Sequence, residues 1–515
     1  YRHGEVFVLD DGLETDMDLG TYERLLDQDL TRDNYTTSGQ IYQRVLEKER
    51  RGGYLGRDVQ MIPHVTGEVK TMLRELAMKQ DADVVFVEVG GTVGDHENAF
   101  YIEALRQLAF EEGPGSVCYV ALTYVIEPPA LGEQKTKAAQ LGLKKLLEAG
   151  VQPHLVAARA KNPVERGAKE KIAMFSNVPM HRVFSMHDRD SIYTITEDLR
   201  GEGLDREVLT MLDLHGRVDA THEDQAREEW RSFVKKVVAP RKHSVTLGLT
   251  GKYAQLRDAY ASIGKAVEHC GAHLDADVEI EWIDTTQMPP EEAGETLGKF
   301  DGVIVPGGFG HRGTESKIAC VRYCREQGLP YLGICLGFQM AVVDYARNVV
   351  GLADAGSTEF DPNSPDPVID ILPEQKQIEG LGGNMRLGGK DVLIQPGTLA
   401  AFLFGQGKAT SPFTARARFR HRFEVDPKYL AALEAAGMVF SGRHPEQPIM
   451  QVLELPEHPY FIGAQFHPEL SSRPLAPQPM FMGLVAAAIR HANPGLSRSD
   501  ISERWLRPTA APTPA

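Results

Sequence analysis

Short apolar runs, broken by glycine turns and followed by stretches of helical period, recur along this chain. Val84-Val85-Phe86-Val87-Glu88-Val89 and Cys118-Tyr119-Val120-Ala121-Leu122-Thr123 read as buried strands. Ala138 to Ala149, closed by Gly150, reads as a helix after them. The charged helical stretch Glu223 to Lys236 leads into Ala239-Pro240-Arg241-Lys242-His243, which ends the first series. A second series starts at Val245-Thr246-Leu247-Gly248-Leu249 and continues through Val278-Glu279-Ile280-Glu281-Trp282. Alternation of this kind predicts α/β architecture with a parallel sheet in each half. The expected boundaries are a first domain over 1–232, a linker over 233–243, a second domain over 244–493 and a tail over 494–515. The Pro508-Thr509-Ala510-Ala511-Pro512-Thr513-Pro514 end predicts disorder in that tail. Asp354 to Gly389, rich in Pro, Asp and Gly, predicts an irregular insertion.

Composition narrows the class. With 515 residues, 42% hydrophobic and 25% charged, the chain has the profile of a multidomain enzyme. No run approaches the ~20 apolar residues of a membrane span, and no signal-peptide pattern opens the chain. A net charge of −16 argues against binding nucleic-acid backbone, whose affinity needs a basic field, although a nucleotide requires only a local basic pocket. The five cysteines form neither a CxxC pair nor a disulfide ladder, and Cys320 and Cys324 have the i, i+4 spacing of helix packing. A reducing, cytoplasmic setting is expected.

Chemistry enters at Gly333-Ile334-Cys335-Leu336-Gly337. Pro330 to Ile334 reads as a strand and Phe338 to Val343 opens a helix, so Cys335 lies on a tight strand-to-helix turn. A lone cysteine between glycines is ordinarily a small buried hydrophobe. Here Phe466-His467-Pro468-Glu469 follows, with His467 placed 132 residues after Cys335. An imidazole stabilises a thiolate, and Glu469 can orient that imidazole from the same segment. Val303-Ile304-Val305-Pro306-Gly307-Gly308-Phe309-Gly310 is a second strand ending in a glycine turn, able to aim an N–H at the oxyanion that Leu336 N–H would also meet. Elbow, glycine turn and His-x-Glu together resemble the class I glutamine amidotransferases, in which Cys335, His467 and Glu469 would open an amide.

The first half resembles a specific family. His3-Gly4-Glu5-Val6-Phe7-Val8, Glu14-Thr15-Asp16-Met17-Asp18-Leu19-Gly20, Lys48 to Gly56, Gln60-Met61-Ile62-Pro63-His64-Val65-Thr66 and Glu88-Val89-Gly90-Gly91-Thr92-Val93-Gly94-Asp95 are similar to the CTP synthases. That resemblance implies a P-loop-NTPase-like synthetase domain over 1–232 joined to a glutamine amidotransferase domain over 244–493. It implies ATP-dependent amination of UTP to CTP, with ammonia from glutamine, by a homotetramer subject to GTP activation and CTP feedback. By the same resemblance, Gly308, Leu336, Gly337, Phe338, Gln339, Glu359 and Arg422 would grip glutamine. Asp18 and Glu88 would hold Mg²⁺, whose hard oxygen ligands they supply. Asp18, His187, Asp188 and Arg189 would meet ATP. Asp95, His96, Glu97, Lys135, Thr136, Lys137, Ala138, Ala139, Gln140 and Lys171 would meet UTP or CTP, and Arg312 would be a GTP contact. From the residues alone, Asp10, Asp11, Glu14, Asp16 and Asp18 read as a solvated acidic loop, and Lys135-Thr136-Lys137 as a surface face.

The chain also departs from the family. Lys-Thr-Lys is followed by Ala138-Ala139-Gln140 where the family has Pro-Thr-Gln, and Arg418-Phe419-Arg420-His421-Arg422-Phe423 carries fewer His and Tyr residues. No phosphate loop lies upstream of Asp18; by comparison with the family about 50 residues would precede Tyr1. Losing one stabilising donor commonly costs roughly 10²–10³ in rate, so the synthetase half as it stands is expected to ligate poorly. Glutamine hydrolysis alone, or a non-catalytic assembly role, are the alternatives this leaves open.

Overall fold

Alternating side chains along the strands of the second half sort into two cores. Ile304, Leu332, Ile334, Ile462 and Ala464 face one core, while Val303, Val305, Tyr331 and Phe461 face the other. That period-2 division is what a sheet covered by helices on both faces requires. The computed structural model describes residues 4–129, 132–251, 257–371, 385–405 and 407–507, and they fall into two compact units. One comprises Tyr1–Arg32 with Lys235–Ala515, and the other Asp33–Val234.

The first unit is built on a nine-stranded sheet. From edge to edge its strands are Phe413–His421, Arg386–Ile394, Val439–Arg443, Met450–Glu454, Phe461–Ala464, Tyr331–Ile334, Gly302–Val305, His243–Gly251 and Ala276–Asp284. The last five are mutually parallel and the first four add antiparallel pairs. The parallel sheet expected from sequence is thus present in five strands and is extended by antiparallel ones. Val439–Arg443, Met450–Glu454 and Phe461–Ala464 follow one another through short connections, which permit only antiparallel pairing. Helices Ala261–Leu274 and Pro479–Ala492 pack in one core, and Thr314–Gln327 and Leu336–Tyr345 in the other.

Residues near the chain's start join this unit. Phe7–Val8 and Glu14–Thr15 form a two-stranded ribbon, followed by helix Met17–Leu26, which Asp16 caps. The described parts of the expected irregular insertion contain strands Ala355–Ser357 and Asp366–Asp370 and the start of Arg386–Ile394; residues 372–384 lie outside the described residues. Paired partners supplied by Glu424–Val425 and Phe413–His421 order what composition made look irregular. The expected tail is likewise ordered over 494–507. Ser497 and Asp500 form a capping box, and Arg504 donates to the Phe402 and Leu403 carbonyls at 3.0 and 2.7 Å. The Pro508–Pro514 stretch lies outside the described residues.

The second unit holds a parallel three-stranded sheet, Val120–Tyr124, Leu155–Ala160 and Val183–His187. Helices Lys137–Glu148 and Arg166–Ser176 help bury its core. Val84 to Val89, expected as a strand, has no regular structure, and Phe86 is 81% exposed. Apolar alternation makes a strand only where a partner pairs with it, and here no ladder forms. Helix Ala220–Val238 runs through most of the expected linker, leaving 239–242 before the next strand.

Candidate active site

Cys335 follows strand Tyr331–Ile334 and precedes helix Leu336–Tyr345. Its φ of 51° and ψ of −98° lie in a region that costs a non-glycine residue about 1–3 kcal/mol. The backbone holds this elbow by donating Cys335 N–H to the Ala464 carbonyl at 2.7 Å. Close approach dictates two neighbouring glycines. A Cβ on Gly337 would collide with the Val305 carbonyl, and one on Gly307 would lie 2.8 Å from His467 Cε1 and 3.5 Å from Cys335 Cβ.

His467 meets Cys335 because their strands are parallel neighbours. Ala464 pairs with Ile334, so both chains leave the sheet at the same carboxyl end, where open α/β sheets place their ligands. His467 Nδ1 and Glu469 Oε1 are 2.7 Å apart. Burial alone would lower the His467 pKa. The Glu469 carboxylate and Cys335 overcome that and lift it to about 10, so the imidazole is held as imidazolium. Cys335 is itself 3% exposed, and its thiol donates to the Arg420 carbonyl at 3.7 Å. A strained, buried thiol beside an oriented imidazolium is arranged for nucleophilic attack on a carbonyl. Leu336 is the first residue of its helix, whose N–H has no acceptor within the helix and is available to an oxyanion.

The expected glutamine-gripping residues gather around this elbow, with differing roles in the scaffold. Gln339 is buried and donates from Nε2 to the Phe423 carbonyl at 2.9 Å and Gln465 Oε1 at 3.2 Å, which ties down the segment after Arg422. Glu359 accepts from Gly310 N at 2.8 Å and so fastens the glycine turn that includes Gly308. Gly337 and Phe338 are buried in the first turn of the helix. Arg422 is half-buried and follows His421, whose Nε2 lies 2.8 Å from Glu424 Oε1.

Pattern reading missed the contacts made by the acidic loop. Asp10 and Glu14 are not simply solvated. Arg416 donates from Nε to both Asp10 oxygens at 2.9 and 3.0 Å, and Arg420 from Nε to Glu14 Oε1 at 2.7 Å. Arg416, Arg418 and Arg420 recur at period 2 in the sequence, the one signal of a shared face that was present.

In the second unit only some of the expected nucleotide residues lie at or after strand carboxyl ends. Lys135 pairs with Ile126 just beyond Val120–Tyr124, and its ammonium contacts Glu133. Thr136 is buried and its Oγ accepts from Gln140 Nε2 at 2.9 Å, while Lys137 Nζ lies 5.9 Å from the Phe175 ring centre. Ala138 is exposed, Ala139 is buried in the core, and Lys171 is exposed on helix Arg166–Ser176. His187 ends its strand with Nδ1 3.3 Å from Ser185 Oγ; Asp188 pairs with Arg159 at 3.3 Å and Arg189 with Asp198 at 3.0 Å. Asp95 accepts from Thr92 N at 3.3 Å, and His96 and Glu97 are exposed nearby. Asp18, in the first turn of helix Met17–Leu26, belongs to the first unit and Glu88 to the second. Among the described residues no group of three or more His, Cys, Asp or Glu side chains is placed to hold a metal ion.

Residues 255–487 match the family model "Glutamine amidotransferase class-I", which places the Cys335 unit in that class. Residues 1–214 match the model "CTP synthase N-terminus". The CTP synthase of Thermococcus gammatolerans is 47% identical over 489 residues, covering 95% of this chain and 89% of that protein. That of Natronomonas pharaonis is 48% identical over 485 residues, covering 94% and 85%. Among solved structures, the Trypanosoma brucei CTPS glutaminase domain with bound acivicin is 33% identical, covers 51% of this chain and 100% of its own, and has a TM-score of 0.45. The chain belongs to the CTP synthase family.

Proposed function

We propose that this chain is a ligase that aminates UTP to CTP at the expense of ATP, with ammonia drawn from glutamine. Family membership supports the overall reaction. The observation that carries the glutaminase half is the meeting of Cys335, His467 and Glu469 at the carboxyl ends of two neighbouring parallel strands.

Cys335 attacks the glutamine carboxamide carbon as its thiolate, paired with the His467 imidazolium, and the oxyanion forms against backbone N–H groups at Leu336 and the Gly308 turn. His467 gives a proton to the departing nitrogen, which leaves as ammonia, and Cys335 is left as a γ-glutamyl thioester. His467 then takes a proton from water as the thioester is hydrolysed to glutamate. Glu469 keeps Nδ1 protonated and Nε2 turned to the reaction. Glu359 and Arg422 suit the α-ammonium and α-carboxylate of glutamine, the latter by a bidentate fork. In the synthetase half, ATP phosphorylates the uracil 4-oxygen and ammonia displaces the phosphate. Lys135 to Gln140, Lys171 and the Asp95-His96-Glu97 turn suit UTP or feedback by CTP, and His187 to Arg189 suit ATP. Asp18 and Glu88 are each carboxylates of the hard-oxygen kind that would suit Mg²⁺ entering with ATP. GTP as activator with Arg312 as a contact, a homotetramer, and a cytoplasmic location complete the reading. No helix among the described residues is long and apolar enough to cross a membrane.

Cys335→Ala in the full chain tests this. Glutamine-driven CTP formation should fall by about 10³-fold or more, while ammonium salts continue to support CTP formation from UTP and ATP. Undiminished glutamine hydrolysis in Cys335→Ala would overturn the assignment.

A further inference from the structure

Strand Phe413–His421 touches both reacting side-chain positions through its backbone. The Arg418 carbonyl accepts from His467 N at 2.8 Å, and the Arg420 carbonyl accepts from the Cys335 thiol at 3.7 Å. Its alternate side chains are held from one place, the segment of residues 10–29. Arg416 forks onto Asp10, Arg418 reaches Glu23 at 2.7 Å and Asp29 at 2.9 Å, and Arg420 reaches Glu14 at 2.7 Å. Residues i, i+2 and i+4 of a strand share a face, so these three guanidinium groups form a row. The Arg420 guanidinium also lies 5.0 Å from the centre of the Phe309 ring, in the glycine turn beside the elbow.

We propose that Arg420 is a positioning residue for glutamine hydrolysis, and that Glu14, in the part of the chain matching the synthetase family model, sets its position. This rests on the catalytic reading of Cys335. Clamped between Glu14 and Phe309, Arg420 holds the carbonyl that aims the sulfur and steadies the turn that faces the oxyanion. Glu14 immediately precedes Thr15 and the Asp16 cap of the helix that carries Asp18. The amidotransferase elbow is thereby tuned by a carboxylate from the synthetase portion of the sequence. A misplacement of about 1 Å at a reacting centre costs on the order of 100-fold in rate, so a small shift of this carbonyl is enough to matter.

Glu14→Gln, Arg420→Lys and the double variant of the full chain would be compared for kcat and KM of glutamine hydrolysis and for the rate of Cys335 alkylation by iodoacetamide. Each single variant should lose about 10- to 100-fold in kcat with KM within about twofold, and alkylation should slow in parallel. Lysine keeps the charge but not the planar fork, so charge alone will not restore the rate. The double variant should be no worse than the worse single, because the pair acts as one unit. Glu14→Asp should recover part of the loss. Should Arg420→Lys fail to fold, Glu14→Gln, at a partly exposed carboxylate, carries the test. Wild-type kcat in both singles, with Cys335→Ala inactive, would overturn the positioning role alone. Hydrolysis surviving in Cys335→Ala would instead remove the catalytic reading beneath it.

Discussion

Glu469 does two jobs at once: it orients His467, and it offsets the cost of burying a cation. Burial disfavours the imidazolium, yet the carboxylate 2.7 Å away and Cys335 bring the His467 pKa to about 10. Because this value is above that of the unfolded chain, the associated stability is fully present below about pH 6.5 and is lost as pH rises towards 10. Glu469→Gln removes the larger stabiliser. Urea denaturation across pH should therefore find the variant less stable by roughly 2 kcal/mol near pH 6, with the gap closing as pH approaches 10. That Cys335, His467 and Glu469 form one candidate group was legible in the sequence, because elbow and His-x-Glu are local strings. Gly307 was legible only as part of a turn; that its missing Cβ makes room for His467 depends on two strands being neighbours.

Among the elements, the arginine strand shows how charge can be buried without being stranded. Glu23 is fully buried and accepts from Arg418 at 2.7 and 3.2 Å and from Arg473 at 3.2 Å, as well as from Leu30 N at 2.9 Å. Taking charge from one member of such a cluster leaves the others underpaid in a medium that solvates them poorly. Glu23→Gln should cost about 3 kcal/mol, read as a lower urea midpoint with an unchanged m-value. Strands with long-range partners were the hardest to read. Val84 to Val89 has the apolar composition of a strand yet joins no sheet among the described residues, whereas the Pro- and Asp-rich stretch around Asp366–Asp370 does pair. Composition reports burial and propensity; a ladder needs a partner that arrives from elsewhere in the chain.

At the scale of the molecule, the segment up to Arg32 belongs with the amidotransferase sheet. Besides the arginine row, Glu5 accepts from Ser262 N at 3.0–3.1 Å, and Gly389 N donates to the Asp10 carbonyl at 2.7 Å. A fragment of residues 235–507 should therefore melt below the full chain's corresponding transition. A synthetic peptide of residues 4–32 should raise its melting temperature with saturable dependence on concentration, as mass action demands. No effect of the peptide at any concentration would contradict the packing described. The sequence by itself determined the α/β alternation, the amidotransferase elbow and the family, because each rests on patterns within a few residues of one another. Only the tertiary structure decided which acids meet which arginines, and that residues 4–30 embrace the glutaminase unit. Ion pairs between positions some 400 residues apart leave no local trace, and the paired and solvated states of a carboxylate have the same spelling.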